Sequence, residues 1–135
     1  MFTTVVLISG GYIDHEHGEQ SVEIYHPDKQ SSCKIPDLPE SRFVHTQDGG
    51  MLCGGLKSSN EAERSCRRWN PDTGAWDLEI ESLTKDRYGH VSWTPADGSA
   101  TYLMGGDWEG NSENTSEVIE NGRVKASFPL EYSAE

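Results

Sequence analysis

Apolar residues along this chain fall in short runs bounded by Gly, Pro, Asp and Asn, and no run keeps the three-to-four-residue period of a helix. The runs are rich in β-branched and aromatic residues, which predicts short antiparallel strands. One type of run ends in two glycines and occurs three times, at residues 5–11, 51–55 and 101–106, where the pairs are Gly10 and Gly11, Gly54 and Gly55, and Gly105 and Gly106. The second glycines of the pairs lie 44 and 51 residues apart. Two further marks keep nearly the same beat. Leu38, Arg42 and His45 are matched 45 residues later by Leu83, Arg87 and His90, and Tyr25 with Pro27 is matched 44 residues later by Trp69 with Pro71. Residues 116–121, where a third aromatic and proline fall due, contain neither.

For the second unit the strands are predicted at 44–47, 51–53, 66–69 and 75–79. Asn70, Pro71, Asp72, Thr73 and Gly74 join the last two, with Pro presetting φ and Gly supplying the positive φ of a tight turn. His26, Pro27, Asp28 and Lys29 repeat that turn in the first unit, and residues 93–101 read as another strand, turn, strand passage. A four-stranded unit of this size cannot bury both faces alone, and repeated units of this kind stack radially as propeller blades. The glycine pairs then allow close approach near the axis, while Tyr25, Trp69 and Trp76 supply packed area between neighbours. The expected fold is all-β, with about three four-stranded antiparallel blades at 1–40, 41–82 and 83–135.

The glycine pair, the aromatic followed by Pro and Asp, Trp76, and the Arg-x-x-His segments at 42–45 and 87–90 resemble kelch repeats, whose period is about 50 residues. The likeness runs from Val5 to about Leu130, although Ser31, Ser32 and Cys33 stand where the first repeat would carry a Trp and the third has no clear Trp. It implies an incomplete kelch-type β-propeller acting as a non-catalytic interaction module, one that binds a peptide or protein through loops on one face. Kelch proteins include substrate receptors of ubiquitin ligases, cytoskeletal proteins and secreted proteins, so the likeness names no partner. No BTB or BACK segment stands among these residues, and a cullin adaptor role has no support in them. The alternative implied by the same family is a fragment of an enzyme resembling galactose oxidase, whose catalytic residues would lie outside this chain. Stoichiometric copper in purified protein would favour that alternative.

Charge narrows the partners. Eleven Lys and Arg against 23 Asp and Glu give a net charge of −12, a field that repels phosphate backbones and anionic membrane surfaces. The longest apolar run, 5–8, is too short to span a bilayer, and residues 1–4 show no basic region ahead of an apolar one, so no signal peptide is expected. The compartment stays open between cytoplasm and secretion. Asp14, His15, Glu16 and His17 have the look of a metal cluster, but they follow the first glycine pair in a loop with no Cys or other His nearby, so a solvated loop is expected and no metal or cofactor. His45 and His90 recur with the repeat and read as hydrogen-bonded structural residues. Nucleophile elbow, phosphate loop and dinucleotide fingerprint are all missing, so no enzymatic activity is expected. Asn114, Thr115 and Ser116 match the glycosylation acceptor pattern.

Function is therefore expected on the loops. Loops 12–20, 56–64 and 107–114, with connections 36–42 and 83–88, should emerge on one face because strand direction alternates. Tyr12, His15, His17, Arg42, Arg87, Tyr88 and Trp108 are the aromatic and cationic residues expected of a binding surface there. Arg42 and Arg87 have a second reading, as cations paired with neighbouring carboxylates that hold blades together. Cys53 and Cys66 lie on adjacent strands, close enough for a disulfide, with Cys33 free or paired elsewhere, and all three are expected in packed positions. Three blades do not close a ring, which takes about four to eight, so further blades in a longer chain or two chains joining are expected.

Overall fold

The computed structural model describes residues 4–14, 17–48, 50–59, 61–79, 81–108, 111–112 and 115–129. Its strands are β1 (Val6–Ser9), β2 (Val22–His26), β3 (Ser31–Ile35), β4 (Thr46–Asp48), β5 (Met51–Cys53), β6 (Leu56–Ser58), β7 (Glu61–Ala62), β8 (Cys66–Asn70), β9 (Ala75–Leu78), β10 (Val91–Trp93), β11 (Thr101–Met104), β12 (Asp107–Trp108), β13 (Asn111–Ser112), β14 (Thr115–Glu120) and β15 (Arg123–Pro129). They form three main antiparallel sheets, β1-β2-β3, β4-β5-β8-β9 and β10-β11-β14-β15. The fold is all-β, as expected.

Several details differ from expectation. The first sheet has three strands and not four, because nothing among the described residues pairs with β1 where β4 and β10 pair in the other two sheets. The loops at 56–64 and 107–114 are in part the two-stranded ribbons β6-β7 and β12-β13. The expected Asn70 turn is present: Asn70 Oδ1 accepts from the N–H of Asp72 at 3.0 Å and of Thr73 at 3.3 Å, and Gly74 N–H donates to Asn70 C=O at 2.9 Å. In the third sheet Asn121 and Gly122, at φ 52° and 74°, make the tight hairpin turn that the missing proline made hard to foresee.

The sheets stack through two cores. Alternate residues of β5 point to opposite faces: Leu52 joins Val22, Leu38 and Trp76 against the first sheet, while Met51 and Cys53 join Cys66, Leu83, Leu103 and Ile119 against the third. A continuous Met-Leu-Cys strand is what a sheet buried on both faces requires. Trp76 is 6% exposed and donates from Nε1 to Pro36 C=O at 3.1 Å, so it ties the second unit to the first through both packing and a hydrogen bond. Trp69 packs on Trp76 with ring centroids 5.3 Å apart but is half-buried, and Tyr25 belongs to neither core.

Cys53 and Cys66 form a disulfide, with Cα atoms 4.2 Å apart. Gly54 N–H donates to Ser65 C=O, which makes Cys53 and Cys66 a close, non-hydrogen-bonded cross-strand pair with Cβ atoms facing one another. Cys33 departs from expectation: it is exposed, because β3 is an edge strand with four of its five residues open to solvent.

Val44 does not enter β4, since its φ of 55° lies in the left-handed region. The residue 45 positions later is Gly89, at φ 63°, and its N–H donates to Val44 C=O at 2.9 Å. A β-branched side chain in this conformation is strained by roughly 1–2 kcal/mol. Val44 is 48% exposed, so it has little packing to lose, and Val44→Gly is expected to raise stability by about 1 kcal/mol. A lower denaturant midpoint in the variant would contradict this.

Candidate interaction surface

The Arg-x-x-His segments lie where one sheet passes to the next, and each binds in both directions. Arg42 C=O accepts from Gly11 N–H at 2.8 Å, back toward the first sheet, while the Arg42 guanidinium donates forward to Gly54 C=O at 3.0 Å and Ser65 C=O at 2.8 Å. Arg87 repeats this, accepting from Gly55 N–H at 2.6 Å and donating to Gly105 C=O at 2.9 Å and Thr115 C=O at 2.7 Å. The glycines explain themselves here. A Cβ on Gly10 would stand 2.5 Å from the Arg42 carbonyl oxygen and 2.7 Å from His45 Cε1, and one on Gly54 would meet Arg87 and His90 at the same two distances. Both glycines also have positive φ, so no other residue fits either count.

Arg42 and Arg87 are completely buried, which removes them from the expected binding surface. Their role is the second one foreseen, as internal cations. Arg87 Nε donates to Glu117 at 2.8 Å, with both side chains fully buried, and Glu117 also accepts from Thr84 N–H at 2.6 Å. Arg42 lies 3.3 Å from Glu40, and Arg67 is also ion-paired with Glu40. The two arrangements exchange charge: Glu40 and Arg67 of the second unit stand at the repeat positions of Lys85 and Glu117 in the third. That reversal was readable in the sequence once the strands were aligned, and so was a second unnoticed repeat. Glu19 and Glu63, 44 residues apart, each accept from the next two backbone N–H groups, Glu19 from Gln20 and Ser21, Glu63 from Arg64 and Ser65, at 2.8–3.1 Å.

His45 and His90 sit beside the buried arginines, with Nε2 at 3.2 Å from Ser9 Oγ and 2.7 Å from Thr46 Oγ1 respectively. Each leaves Nδ1 buried without a partner in the described structure. Burial first, and then the adjacent guanidinium, push both rings down to about 4. Glu63 is raised by burial, but the Ser65 N–H, Lys57, the Ser65 hydroxyl and Arg42 outweigh that and hold it at about 2. The linkage has one sign. Between pH 6.5 and about 4 the unfolded chain binds protons that the folded histidines refuse, so stability falls with pH by up to about 3 kcal/mol per ring. Glu63 continues the loss below 4.5. Denaturant titrations at pH 7.5, 5.5 and 4.0 should show the fall, and a flat profile across that range would contradict it.

The loops meet along one rim. Residue pairs Tyr12–Gly18, Glu19–Arg42, Phe43–Leu56 and Tyr88–Asp107 form antiparallel bridges, and Ser41 Oγ donates to Lys57 C=O at 3.1 Å. Tyr12 is 64% and Ile13 68% exposed, and the Tyr12 ring lies 5.9 Å from that of Phe43. His17 is exposed and bonded through Nδ1 to Asp14 Oδ1 at 2.7 Å, so the acidic and basic ends of the 14–17 cluster hold each other. Tyr88 is half-buried at the second connection. His15 and Asn114 lie outside the described residues, and of Trp108 only the backbone strand is described. Ile13 was missed because an isolated apolar residue in a polar loop carries no periodic signal. No protein-family model matches the chain, and no curated protein matches it either.

Proposed function

We propose that the chain is a non-catalytic protein-interaction module built of kelch-type β-propeller blades, binding a peptide or protein through the loop rim. The observation that carries this reading is the division of labour between the cations and histidines of the repeat and the residues of the first loop. The cations and histidines of the repeat motif are consumed inside, each bonded to backbone or to a buried or half-buried side chain, whereas Tyr12, Ile13 and His17 stand exposed on a loop pinned at its base. That pinning runs through Glu19 N–H to Gly11 C=O at 2.8 Å and Ile13 N–H to His17 C=O at 2.9 Å. An aromatic and an aliphatic residue held outward on a preorganised loop suit recognition more than structure. Exposed Val91, Trp93 and Phe128 on the third sheet and Val6 and Ile8 on the first support an incomplete propeller, since these are the outer faces of the stack.

Selection from a random peptide library displayed on phage, against the immobilised chain, tests the reading. Enriched peptides should lose at least about tenfold in affinity to Tyr12→Ala and Ile13→Ser, while the melts of both variants match the parent within about 0.5 kcal/mol. Absence of enrichment, or peptides indifferent to both substitutions, would contradict the proposal.

A further inference from the structure

The second and third sheets enclose a polar cleft of about 260 Å³, with Arg68 and Glu79 on one wall and Ser99, Thr101, Ile119 and Asn121 on the other. Thr101 opens β11, whose far end leads into β12, so the cleft and the rim lie at opposite ends of the third sheet. The cleft falls at a repeat position. Arg68 and Glu79 stand 44 residues after Ile24 and Ile35, in the same register: Ile35 is opposite Val22, and Glu79 N–H donates to Cys66 C=O at 2.9 Å. On the facing wall the Thr101 and Ile119 pair stands where Gly50 and Trp69 stand in the cleft that Ile24 lines between the first two sheets. An ion pair has replaced two isoleucines. Its hydrogen-bonding capacity is only partly used, since Arg68 Nε donates to Glu79 Oε1 at 2.7 Å in a single bond and not a fork. Among the described residues no donor reaches Glu79 Oε2, although that side chain is nine-tenths buried. Arg68, half-exposed, has the Met51 sulfur 3.4 Å from its Nη2, and a thioether is a weak acceptor.

We propose that this cleft binds a primary carboxamide, the group carried by Gln and Asn side chains and by free glutamine. The guanidinium offers a donor and Glu79 Oε2 an acceptor on the same wall, and a carboxamide presents an acceptor and a donor side by side in one plane. Charged groups fit less well. A carboxylate would bond Arg68 but meet Glu79, and an ammonium would bond Glu79 but meet Arg68. The Ser99 hydroxyl and the Asn121 amide on the opposite wall are at hand for the remaining lone pair and N–H. No aromatic ring lines the cleft among the described residues, which leaves no stacking surface for a sugar. The site is separate from the rim and stands or falls independently of it.

The test is a titration of the full isotope-labelled chain with glutamine capped as its N-acetyl methylamide, followed by nuclear magnetic resonance. The Arg68 Nε–H and the Asn121 side-chain amide should shift saturably, and the capped glutamate and lysine analogues should bind at least about tenfold more weakly. Glu79→Gln removes the repulsion, so capped glutamate should gain at least about fivefold on capped glutamine in that variant. Arg68→Gln, at a half-exposed position, should do the same for capped lysine. A purely structural ion pair would leave both ratios unmoved. Free L-glutamine separates two sources of the same group: binding equal to that of the capped compound points to a free amino acid, and a loss of at least about tenfold points to a side chain within a polypeptide. Either result keeps the carboxamide as the recognised group. Equal binding of capped glutamate or of methyl glucoside, unmoved ratios in the two variants, or no saturable shift would overturn the proposal.

Discussion

Arg87→Met is expected to cost about 3 to 5 kcal/mol. The guanidinium bonds Glu117 at 2.8 Å, Gly105 C=O, Thr115 C=O and the Thr115 hydroxyl, and it is completely buried. Removing it strands the fully buried Glu117 carboxylate without its cation, and breaking one half of a buried pair costs more than removing both. Arg87→Met combined with Glu117→Leu should therefore recover part of the loss. Arg42→Met serves as the internal comparison. Its partner Glu40 is one-fifth exposed and remains held by Arg67, so the cost should be clearly smaller. Equal losses at Arg42 and Arg87 in denaturant titrations would show that the buried carboxylate is not what sets the magnitude.

Trp76→Ala is expected to cost about 3 to 5 kcal/mol. The indole fills the core shared by the first and second sheets, against Val22, Leu38 and Leu52, and its N–H is bonded to Pro36 C=O. Truncation opens a cavity and also removes that hydrogen bond. Trp69, which is only half-buried, should cost distinctly less when truncated, because a ring already partly in water loses less transfer free energy. The reverse order in thermal melts would mean that Trp69, and not Trp76, anchors the sheets.

Most of the strand plan was legible because each strand is announced by its boundaries. The glycine pairs, Asn70 to Gly74 and the Pro27 turn each require a backbone conformation that few residues adopt, so they mark strand ends independently of tertiary context. Cys53 and Cys66 were readable for a similar reason: adjacent antiparallel strands bring them opposite one another. Arg42 and Arg87 were harder. A repeated Arg beside a loop has the composition of a binding residue, and only the sheet stacking shows that its carbonyl and guanidinium face in opposite directions, each toward a different sheet. Cys33 was misplaced because an edge strand and a central one have the same local sequence signature, and the strand count of the first sheet depends on pairing beyond its own residues.

The account rests on Arg-x-x-His segments acting as joints between successive sheets, and native-state hydrogen exchange at Gly11 and Gly55 tests that most directly. Their N–H groups donate to Arg42 and Arg87 C=O across the sheet boundaries. If the joints hold the stack together, both amides exchange only through global unfolding, at the same free energy as Leu52 in the central strand, and Arg87→Met lowers the values for all three together. Exchange of Gly11 and Gly55 at loop-like rates while Leu52 stays protected would contradict the account, because the sheets would then part at these joints without the molecule unfolding.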